Sequence, residues 1–318
     1  MSFLLGCNYL ETQNGTAMWK SFNEESIRED LKVLQEHGVE ILRVFPNWRD
    51  FQPVIKMYGQ NGRLFEYRMQ DETLPLNSYY LDEAMMQKFI RFCCIAESYG
   101  MKLIVGLLTG WLSSRLFIPE ALGDKNLFTD PQALILEQKF VSGFVKYTKD
   151  NPNIYGWDLG NECNNLSTAI SREEAFCWSA VISNAIRAQD NTRPVISGMH
   201  GLEPEGIWRI SDQAETTDIL TTHPYPLWVE HCTNDAVSSV RTLLHATAQT
   251  VYYASIGGKP CLVEEIGTMG PMVCSDEIAA GFLKANLFSN WANGAPGLLW
   301  WCSSDQNLLS HAPYDWAM

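Results

Sequence analysis

The stretch between residues 102 and 160 contains KLIVGLL (102–108), PQALILEQKFVSGFVKYTK (131–149) and IYGWDLG (154–160). The two outer runs are short and apolar, which is typical of strands buried on both faces. The middle run has helical spacing, and Asp130 followed by Pro131 is a typical helix start. The stretch therefore predicts one strand–helix–strand unit with two parallel strands in the same sheet.

The same alternation continues on both sides of this unit. Further apolar runs lie at 3–9, 40–45, 193–198, 218–222, 260–263 and 297–301, and further helices are predicted at 23–37, 79–99, 171–189, 235–255 and 275–291. Eight buried strands separated by helices fit a closed (β/α)8 TIM barrel of the α/β class better than an open doubly wound sheet. No Gly-x-Gly-x-x-Gly follows the first strand, which disfavours a dinucleotide-binding fold.

The 318 residues are interpreted as a single (β/α)8 domain, residues 1–318, because no linker, repeat or low-complexity tract divides them. A long polar and aromatic loop is predicted at about 46–78. After the eighth strand only residues 302–318 remain, and they are short and polar. We therefore expect the eighth helix to be absent or to lie beyond the end of this chain.

The charge balance excludes two classes of partner. The 23 basic and 37 acidic residues give a net charge of −14, whereas nucleic acids and anionic membranes select basic surfaces. No run approaches 18 apolar residues, so no transmembrane helix is expected. The 11 Trp residues suit either flat platforms for ring-shaped ligands or a large core.

Cysteine usage and the first residues bear on location. Nine Cys without Cys-x-x-Cys spacing indicate reduced thiols. The start, MSFLLGCNYL, lacks the basic region of a signal peptide and is interpreted as a buried strand rather than a lipoprotein cleavage site. A cytoplasmic location is expected, and secretion remains the alternative if a signal peptide has been removed.

Polar side chains follow most of the predicted strands, where a TIM barrel places its active site. They are Asn8, Arg43, Asn161, Glu162, His200, His223, Tyr225, Glu264, Glu265 and Trp301. Carboxylates after strands four and seven can face each other across the barrel mouth, as glycosidic hydrolysis requires of an acid and a nucleophile. Taken singly, a strand-end glutamate is more often part of a loop salt bridge, and Arg43 or His223 a structural group.

Together these motifs resemble clan A retaining glycoside hydrolases, and most closely family five. Residues 155–162 (YGWDLGNE) resemble the fourth-strand Asn-Glu motif, and residues 258–267 (GKPCLVEEIG) resemble the seventh-strand motif. The LRVF, HPYP and GLLWW segments, which contain Arg43, His223 and Trp301, agree with the second, sixth and eighth strands. The eighth-strand SDQ that follows is also similar to family two β-galactosidases.

The resemblance implies a role for each matched residue. Glu162 is the acid/base and Glu265 the nucleophile, because the motif places the nucleophile before an apolar residue and Gly. Strand alternation also allows only one of the two adjacent glutamates to face the site. The remaining roles concern positioning and sugar binding: Arg43 and Tyr225 position Glu265, Asn161 binds the 2-hydroxyl, His223 lies near the acid/base, and Trp301 stacks on the sugar.

Within family five, the chain resembles the endo-β-mannanase branch. The EEIG and HPYP motifs, Trp228, and Trp111 after the third strand support this resemblance. Thr109 and Gly110 stand where that branch has two Asn residues. Trp48, Tyr58, Phe65 and Tyr67 in the 46–78 loop are either sugar platforms or, as we favour, residues that pack the loop on the barrel.

We therefore expect a retaining β-glycosidase that hydrolyses O-glycosidic bonds of a neutral polysaccharide or oligosaccharide by double displacement, of the β-mannan type. No metal or cofactor is expected, because the His and Cys residues show no ligand spacing such as His-Glu-x-x-His. Two alternatives stay open. One is a metal-assisted barrel hydrolase using His200 and His223, and the other is a non-catalytic carbohydrate-binding barrel. The sequence leaves the linkage, endo or exo action and oligomeric state open.

Overall fold

A computed structural model describes residues 3–71, 77–268 and 273–304 of the chain. Its centre is a ring of eight parallel strands, at the places where the sequence predicts them. The strands are β1 (Leu4–Tyr9), β2 (Ile41–Val44), β3 (Lys102–Gly106), β4 (Ile154–Asp158), β5 (Val195–Ile196), β6 (Leu220–Thr222), β7 (Cys261–Ile266) and β8 (Gly297–Trp300).

The sheet closes into a barrel. Neighbouring strands pair in chain order, and β8 returns to β1 with Leu4 opposite Gly297. The junction of β5 and β6 is closed by a parallel bridge between Ile196 and Ile219, next to a 3.0 Å hydrogen bond from the Ser197 amide to the Ile219 carbonyl. The predicted (β/α)8 TIM barrel is therefore confirmed.

One helix of at least seven residues follows each of the first seven strands within the described residues. These helices are α1 (Glu24–Glu36), α2 (Glu83–Ser98), α3 (Pro131–Thr148), α4 (Arg172–Arg187), α5 (Ile210–Thr216), α6 (Val240–Gly257) and α7 (Asp276–Ala292). The predicted position of an eighth helix lies outside the described residues. None of the helices in the described part of the chain is both long and apolar enough to span a bilayer.

Capping side chains fix where several helices begin, and they correct two predicted starts. Asp82 accepts a hydrogen bond from the Met85 amide, so α2 begins at residue 83 rather than 79. Ser239 does the same for Thr242, so α6 begins at residue 240 rather than 235. The seven-residue helix α5 was missed by the sequence interpretation altogether.

The 46–78 region is more ordered than a plain loop. It contains a short helix, Trp48–Phe51, and a hairpin formed by Val54–Tyr58 and Leu64–Met69. Trp48 is fully buried and donates to Gln52, in agreement with a packing role, whereas Tyr58 and Phe65 are exposed on the hairpin. A second hairpin, Trp111–Leu112 with Arg115–Leu116, follows β3.

An apolar layer inside the barrel supports the polar residues above it. Side chains from six strands form this layer: Leu4, Ile41, Ile104, Ile196, Leu262 and Leu299. Arg43 and Glu264 stand two residues beyond Ile41 and Leu262, on the same inward faces, because side chains of a strand alternate with period two. The barrel therefore places charged groups directly on an apolar floor.

Gly6 in this layer gives a test of the barrel packing. A Cβ added at Gly6 would lie 2.2 Å from the Ile41 carbonyl oxygen and 2.7 Å from Leu299 Cδ2. We expect Gly6→Ala to destabilise the fold by about 1–3 kcal/mol, measured by urea unfolding. Gly281→Ala on α7 is the matched control. It meets no atom within 4 Å and should stabilise by about 0.5–1 kcal/mol. Equal midpoints for the two variants would contradict this packing.

Candidate active site

Arg43 of β2 is the buried centre of the polar layer. Its Nε and Nη2 atoms both lie 2.8 Å from Asp158 Oδ2. Its Nη1 donates to Glu265 Oε1 at 2.8 Å, and its Nη2 lies 3.3 Å from Glu264 Oε2. Nη1 also donates to the side-chain oxygens of Asn161, at 2.9 Å, and Asn8, at 3.3 Å. One guanidinium therefore joins side chains from β1, β2, β4 and β7.

The charges of this cluster are strongly coupled. Burial favours the neutral form of Arg43, but the carboxyls of Glu264, Asp158 and Glu265 outweigh it and raise the Arg43 pKa, so the side chain stays positive. Burial also raises the pKa of Asp158 and of Glu265. Because a buried negative charge is costly without a paired cation, Arg43 is what allows these carboxylates to exist at the barrel mouth.

Glu265 and Glu264, adjacent on β7, differ in access. Glu265 lines the cavity, and its second oxygen accepts a 3.1 Å hydrogen bond from the Tyr225 hydroxyl. Glu264 is fully buried and lies 3.2 Å from Nε2 of His223. The alternation argument for a single inward glutamate is inexact, because the pairing register shifts between Val263 and Ile266 and both carboxyls reach Arg43.

Glu162 follows β4 in a left-handed backbone conformation, with φ 45° and ψ 48°. This region is costly for a residue other than Gly, by about 1–3 kcal/mol, and such strain is concentrated at functional sites. The conformation turns the carboxyl towards the cavity. There Oε2 accepts from Trp111 Nε1 at 3.1 Å and from Asn165 Nδ2 at 3.2 Å.

His223 connects the two sides of the site. Its Nδ1 lies 2.9 Å from Glu162 Oε1 and 3.5 Å from Glu265 Oε2, while Nε2 faces Glu264. Burial disfavours its charged form, but Glu265, Glu162 and Glu264 outweigh burial and raise the pKa of His223 to about 10. Burial likewise opposes ionisation of Glu162, but the His223 hydrogen bond lowers its pKa to about 2. The proton of this pair therefore lies on His223 in the free site.

The two cavity carboxyls are close together. One carboxylate oxygen of Glu162 and one of Glu265 lie within 4.8 Å of each other and of a His223 nitrogen. Such a group offers ligand atoms for a metal ion, as the metal-assisted alternative requires. Yet both nitrogens of His223 and both oxygens of Glu265 already have partners in Glu162, Glu264, Arg43 and Tyr225.

A cavity of about 280 Å³ opens above these carboxyls. Nine of the residues singled out in the sequence line it: Trp111, Asn161, Glu162, His200, His223, Tyr225, Trp228, Glu265 and Trp301. Trp301 is buried against Phe45, with ring centroids 5.9 Å apart, and so presents a fixed aromatic surface to the cavity. Trp228 is 65% exposed at the rim.

Arg43 and Asn8, which were also predicted from strand ends, lie beneath the cavity with Glu264 rather than on its wall. Both are fully buried. Asn8 Nδ2 donates to the backbone oxygens of Glu264, at 2.9 Å, and Trp300, at 3.3 Å. Asn8 therefore ties β1 to β7 and β8, and its role is to support the site.

Sequence reasoning missed three residues of the cavity wall. Asn165 lies three positions after Glu162 in the short 3₁₀ turn Cys163–Asn165, which returns its amide to the Glu162 carboxyl. The run of amides after Glu162 was the available signal. Ser113 and Ser114 line the cavity at the tip of the hairpin after β3, in left-handed conformations that the sequence did not indicate.

The raised pKa of His223 predicts a specific pH dependence of stability. The pKa is about 10 in the folded protein and about 6.5 in the unfolded chain. Its stabilising contribution is therefore complete below pH 6.5 and is lost as the pH rises through 10. We expect the difference in unfolding free energy between the wild type and His223→Gln to shrink over this interval in urea titrations.

His200→Gln is the control for this titration. Burial lowers the pKa of His200, so its imidazole is neutral in both folded and unfolded chains above pH 7. The stability difference between the wild type and this variant should stay constant from pH 7 to pH 10. A constant difference for His223→Gln as well would contradict the charge assignment.

The chain is similar in sequence to known proteins. The sequence model of Cellulase (glycosyl hydrolase family 5) matches residues 10–307. A probable mannan endo-1,4-β-mannosidase F from Aspergillus flavus is 24% identical over 336 aligned residues, which cover 94% of this chain and 64% of the relative. The chain therefore spans about two thirds of the length of this relative. Mannan endo-1,4-β-mannosidase A from Hypocrea jecorina is 25% identical over 250 residues, covering 67% of this chain and 54% of the relative.

Solved structures share the fold. A GH5_18 protein from Streptomyces cattleya, crystallised in complex with Manβ1-4GlcNAc, superposes with a TM-score of 0.85 at 21% identity, over 100% of this chain and 75% of that chain. An exo-β-1,4-mannosidase from Opitutaceae bacterium strain TAV5 gives a TM-score of 0.77 at 24% identity, over 95% and 52%. The family match covers nearly the whole barrel and all the strand-end residues described above except Asn8, and the chain therefore belongs to glycosyl hydrolase family 5.

Proposed function

We propose that this protein is a retaining β-glycosidase that acts by double displacement, with Glu265 as nucleophile and Glu162 as acid/base. The observation that carries this proposal is the spacing of the two carboxyls, with oxygens within 4.8 Å. Retaining enzymes hold their carboxyl groups about 5–5.5 Å apart, whereas inverting enzymes need about 6.5–9.5 Å to admit a water molecule. The spacing therefore supports direct attack by a carboxylate.

Glu265 is suited to the attack on the anomeric carbon. Arg43 and Tyr225 each hold one of its oxygens, which fixes the orientation of the carboxylate before substrate binds. Burial raises the pKa of Glu265, which makes the ionised carboxylate more basic and a better nucleophile. The bond formed joins Glu265 to the anomeric carbon, and the bond broken is the one to the leaving oxygen.

Glu162 receives its catalytic proton through His223. In the free site the pair is charged, with the proton on His223 Nδ1, 2.9 Å from Glu162 Oε1. When a sugar displaces water from the cavity, the charged His223–Glu162 pair loses solvation. The neutral form of the pair is then stabilised relative to the charged form. Transfer of this proton leaves a neutral His223, still able to donate from Nε2 to Glu264, and a protonated Glu162.

The second step uses the same groups in reverse. After donating to the leaving oxygen, Glu162 is a carboxylate and accepts a proton from the water that attacks the glycosyl-enzyme. Asn161 precedes Glu162 in the chain, and its Oδ1 accepts from the same Arg43 Nη1 that donates to Glu265. Its Nδ2 donates to the Trp111 carbonyl. In the proposal it binds the sugar 2-hydroxyl, and Trp301 stacks on the ring.

The substrate we propose is a neutral carbohydrate with a β-1,4-linked mannosyl unit. Curated relatives are mannan endo-1,4-β-mannosidases, and one structural neighbour binds Manβ1-4GlcNAc. The net charge of −14 is compatible with an uncharged substrate and disfavours a polyanionic one. Among the residues described, aromatic side chains at the cavity, chiefly Trp111, Trp228 and Trp301, supply surfaces for sugar rings.

Azide rescue tests the two roles separately. We expect Glu265→Ala and Glu162→Ala each to lower kcat on an aryl β-mannoside by at least about 10³-fold. Azide should restore turnover of both. Glu265→Ala should give the α-glycosyl azide because azide replaces the nucleophile, and Glu162→Ala should give the β-glycosyl azide because azide replaces the second water. NMR of the products identifies the anomers.

Glu264→Ala is the matched control, one residue away and closed off from the cavity. Azide should not restore its activity, because the missing carboxyl did not face the sugar. Rescue of Glu264→Ala with an α-product, or of Glu265→Ala with a β-product, would overturn the assignment.

A substrate panel tests the sugar. We expect kcat/KM for 4-nitrophenyl β-mannoside to exceed that for the β-glucoside and β-galactoside, and Manβ1-4GlcNAc and β-mannan to compete for the same site. Activity should survive chelation, and Trp301→Ala should reduce kcat/KM for every substrate turned over. Activity lost on chelation and restored by a divalent ion at the carboxyl pair would favour a metal-assisted hydrolase. Glycan binding without turnover would favour a non-catalytic barrel.

A further inference from the structure

The segment after β6 and helix α6 bring together a second cluster of metal-ligating side chains, away from the catalytic carboxyls. His231 and Cys232 lie in this segment, and His245 lies on α6. One ligand atom from each of the three lies within 4.8 Å of the other two. Among the described residues, the only other such group is Glu162, His223 and Glu265 of the active site.

The three side chains lie close together and differ in their exposure to solvent. Cys232 is 1% exposed, His245 is partly buried and His231 is exposed. The two imidazole rings meet edge to face, with centroids 5.2 Å apart. A buried thiol therefore lies beneath two imidazoles, one of which borders solvent and leaves a path for an ion to enter.

The segment that carries the ligands is held in place by its own hydrogen bonds. The amides of Cys232 and Thr233 both donate to the Val229 carbonyl at 2.9 Å. The Arg241 guanidinium on α6 donates to the His231 carbonyl at 2.8 Å, and it lies 3.3 Å from the Asp235 carboxylate, which offsets its charge. The ligands are thus positioned from two elements that are already fastened to each other.

We propose that His231, Cys232 and His245 bind one zinc ion that fastens the segment after β6 to helix α6. One thiolate and two imidazoles form a soft donor set that suits Zn²⁺, and water supplies the fourth position. Tetrahedral Zn²⁺ with these ligands sets donor separations of roughly 3.4–3.6 Å, which lie inside the 4.8 Å within which the three ligand atoms already stand. Binding deprotonates Cys232 and releases one proton.

The site has a consequence for the cavity without taking part in its chemistry. Tyr225, which holds Glu265, and Trp228, at the cavity rim, lie in the same connection between β6 and α6. An ion that fastens this connection raises stability and reduces the freedom of the rim. The sequence did not indicate the site, because Cys232 and His245 are far apart along the chain and form no short ligand motif.

Cobalt substitution of the purified 318-residue chain tests the proposal. We expect Co²⁺ alone, added to metal-free protein, to bind with one equivalent and to produce a thiolate-to-cobalt charge-transfer band in the near ultraviolet. Zn²⁺ should displace the Co²⁺ and remove the band. Zn²⁺ at 100 times its Kd should raise the thermal midpoint by roughly 3–6 °C. If the wild-type protein shows no thiolate band at saturating Co²⁺, the proposal is overturned before any variant is measured.

Variants locate the ion. Cys232→Ser and His245→Gln should each lose the band and the thermal shift, while circular dichroism reports whether they fold. Cys177→Ser, an exposed cysteine on α4, is the matched thiol control and should keep both. Glu265→Gln should also keep both, which separates this site from the active-site group. A band that survives Cys232→Ser, or disappears in Cys177→Ser or Glu265→Gln, would contradict the assignment.

Discussion

The structure of the barrel mouth depends on one buried guanidinium. Arg43 projects from β2 above an apolar layer, out of contact with solvent, and contacts Asp158, Glu264 and Glu265 from two other strands. Without a fixed cation, carboxylates at this depth would take up protons or destabilise the fold. The ion pair with Arg43 is therefore what allows Glu265 to carry a negative charge at the cavity, where a sugar's anomeric carbon would lie.

The carboxyls around Arg43 differ in their hydrogen-bond partners and in their access to the cavity. Glu265 is held by two donors and opens to the cavity, whereas Glu264 beside it is closed off. Glu162 stands on a strained backbone and shares a proton with His223. In our proposal fixed hydrogen bonds orient the nucleophile, and the acid/base is protonated by transfer along the 2.9 Å hydrogen bond between His223 Nδ1 and Glu162 Oε1. The fold supplies both because all the parallel strands of the barrel end at the same edge, which brings residues of β4 and β7 together.

Much of this architecture was predictable because it follows from local patterns. Buried parallel strands are continuous apolar runs, so all eight were found, and strand ends such as Arg43 and Glu265 were expected to meet at the mouth. The short helix Ile210–Thr216 was missed because seven residues give little periodicity. That the adjacent Glu264 and Glu265 both contact Arg43 depends on a register shift, and the Asn165 contact depends on a 3₁₀ turn; residue spacing reveals neither.

The most direct measurement is to trap the covalent intermediate. A 2-deoxy-2-fluoro-β-mannosyl fluoride should inactivate the protein by forming a stable glycosyl ester. The fluorine at carbon 2 slows both steps by destabilising their oxocarbenium-like transition states, while the good fluoride leaving group keeps the first step fast enough for the ester to accumulate. Our account predicts one label per chain, located on Glu265 by peptide mass spectrometry. A label on Glu264 or Glu162, or rapid turnover to an inverted product without any adduct, would contradict it.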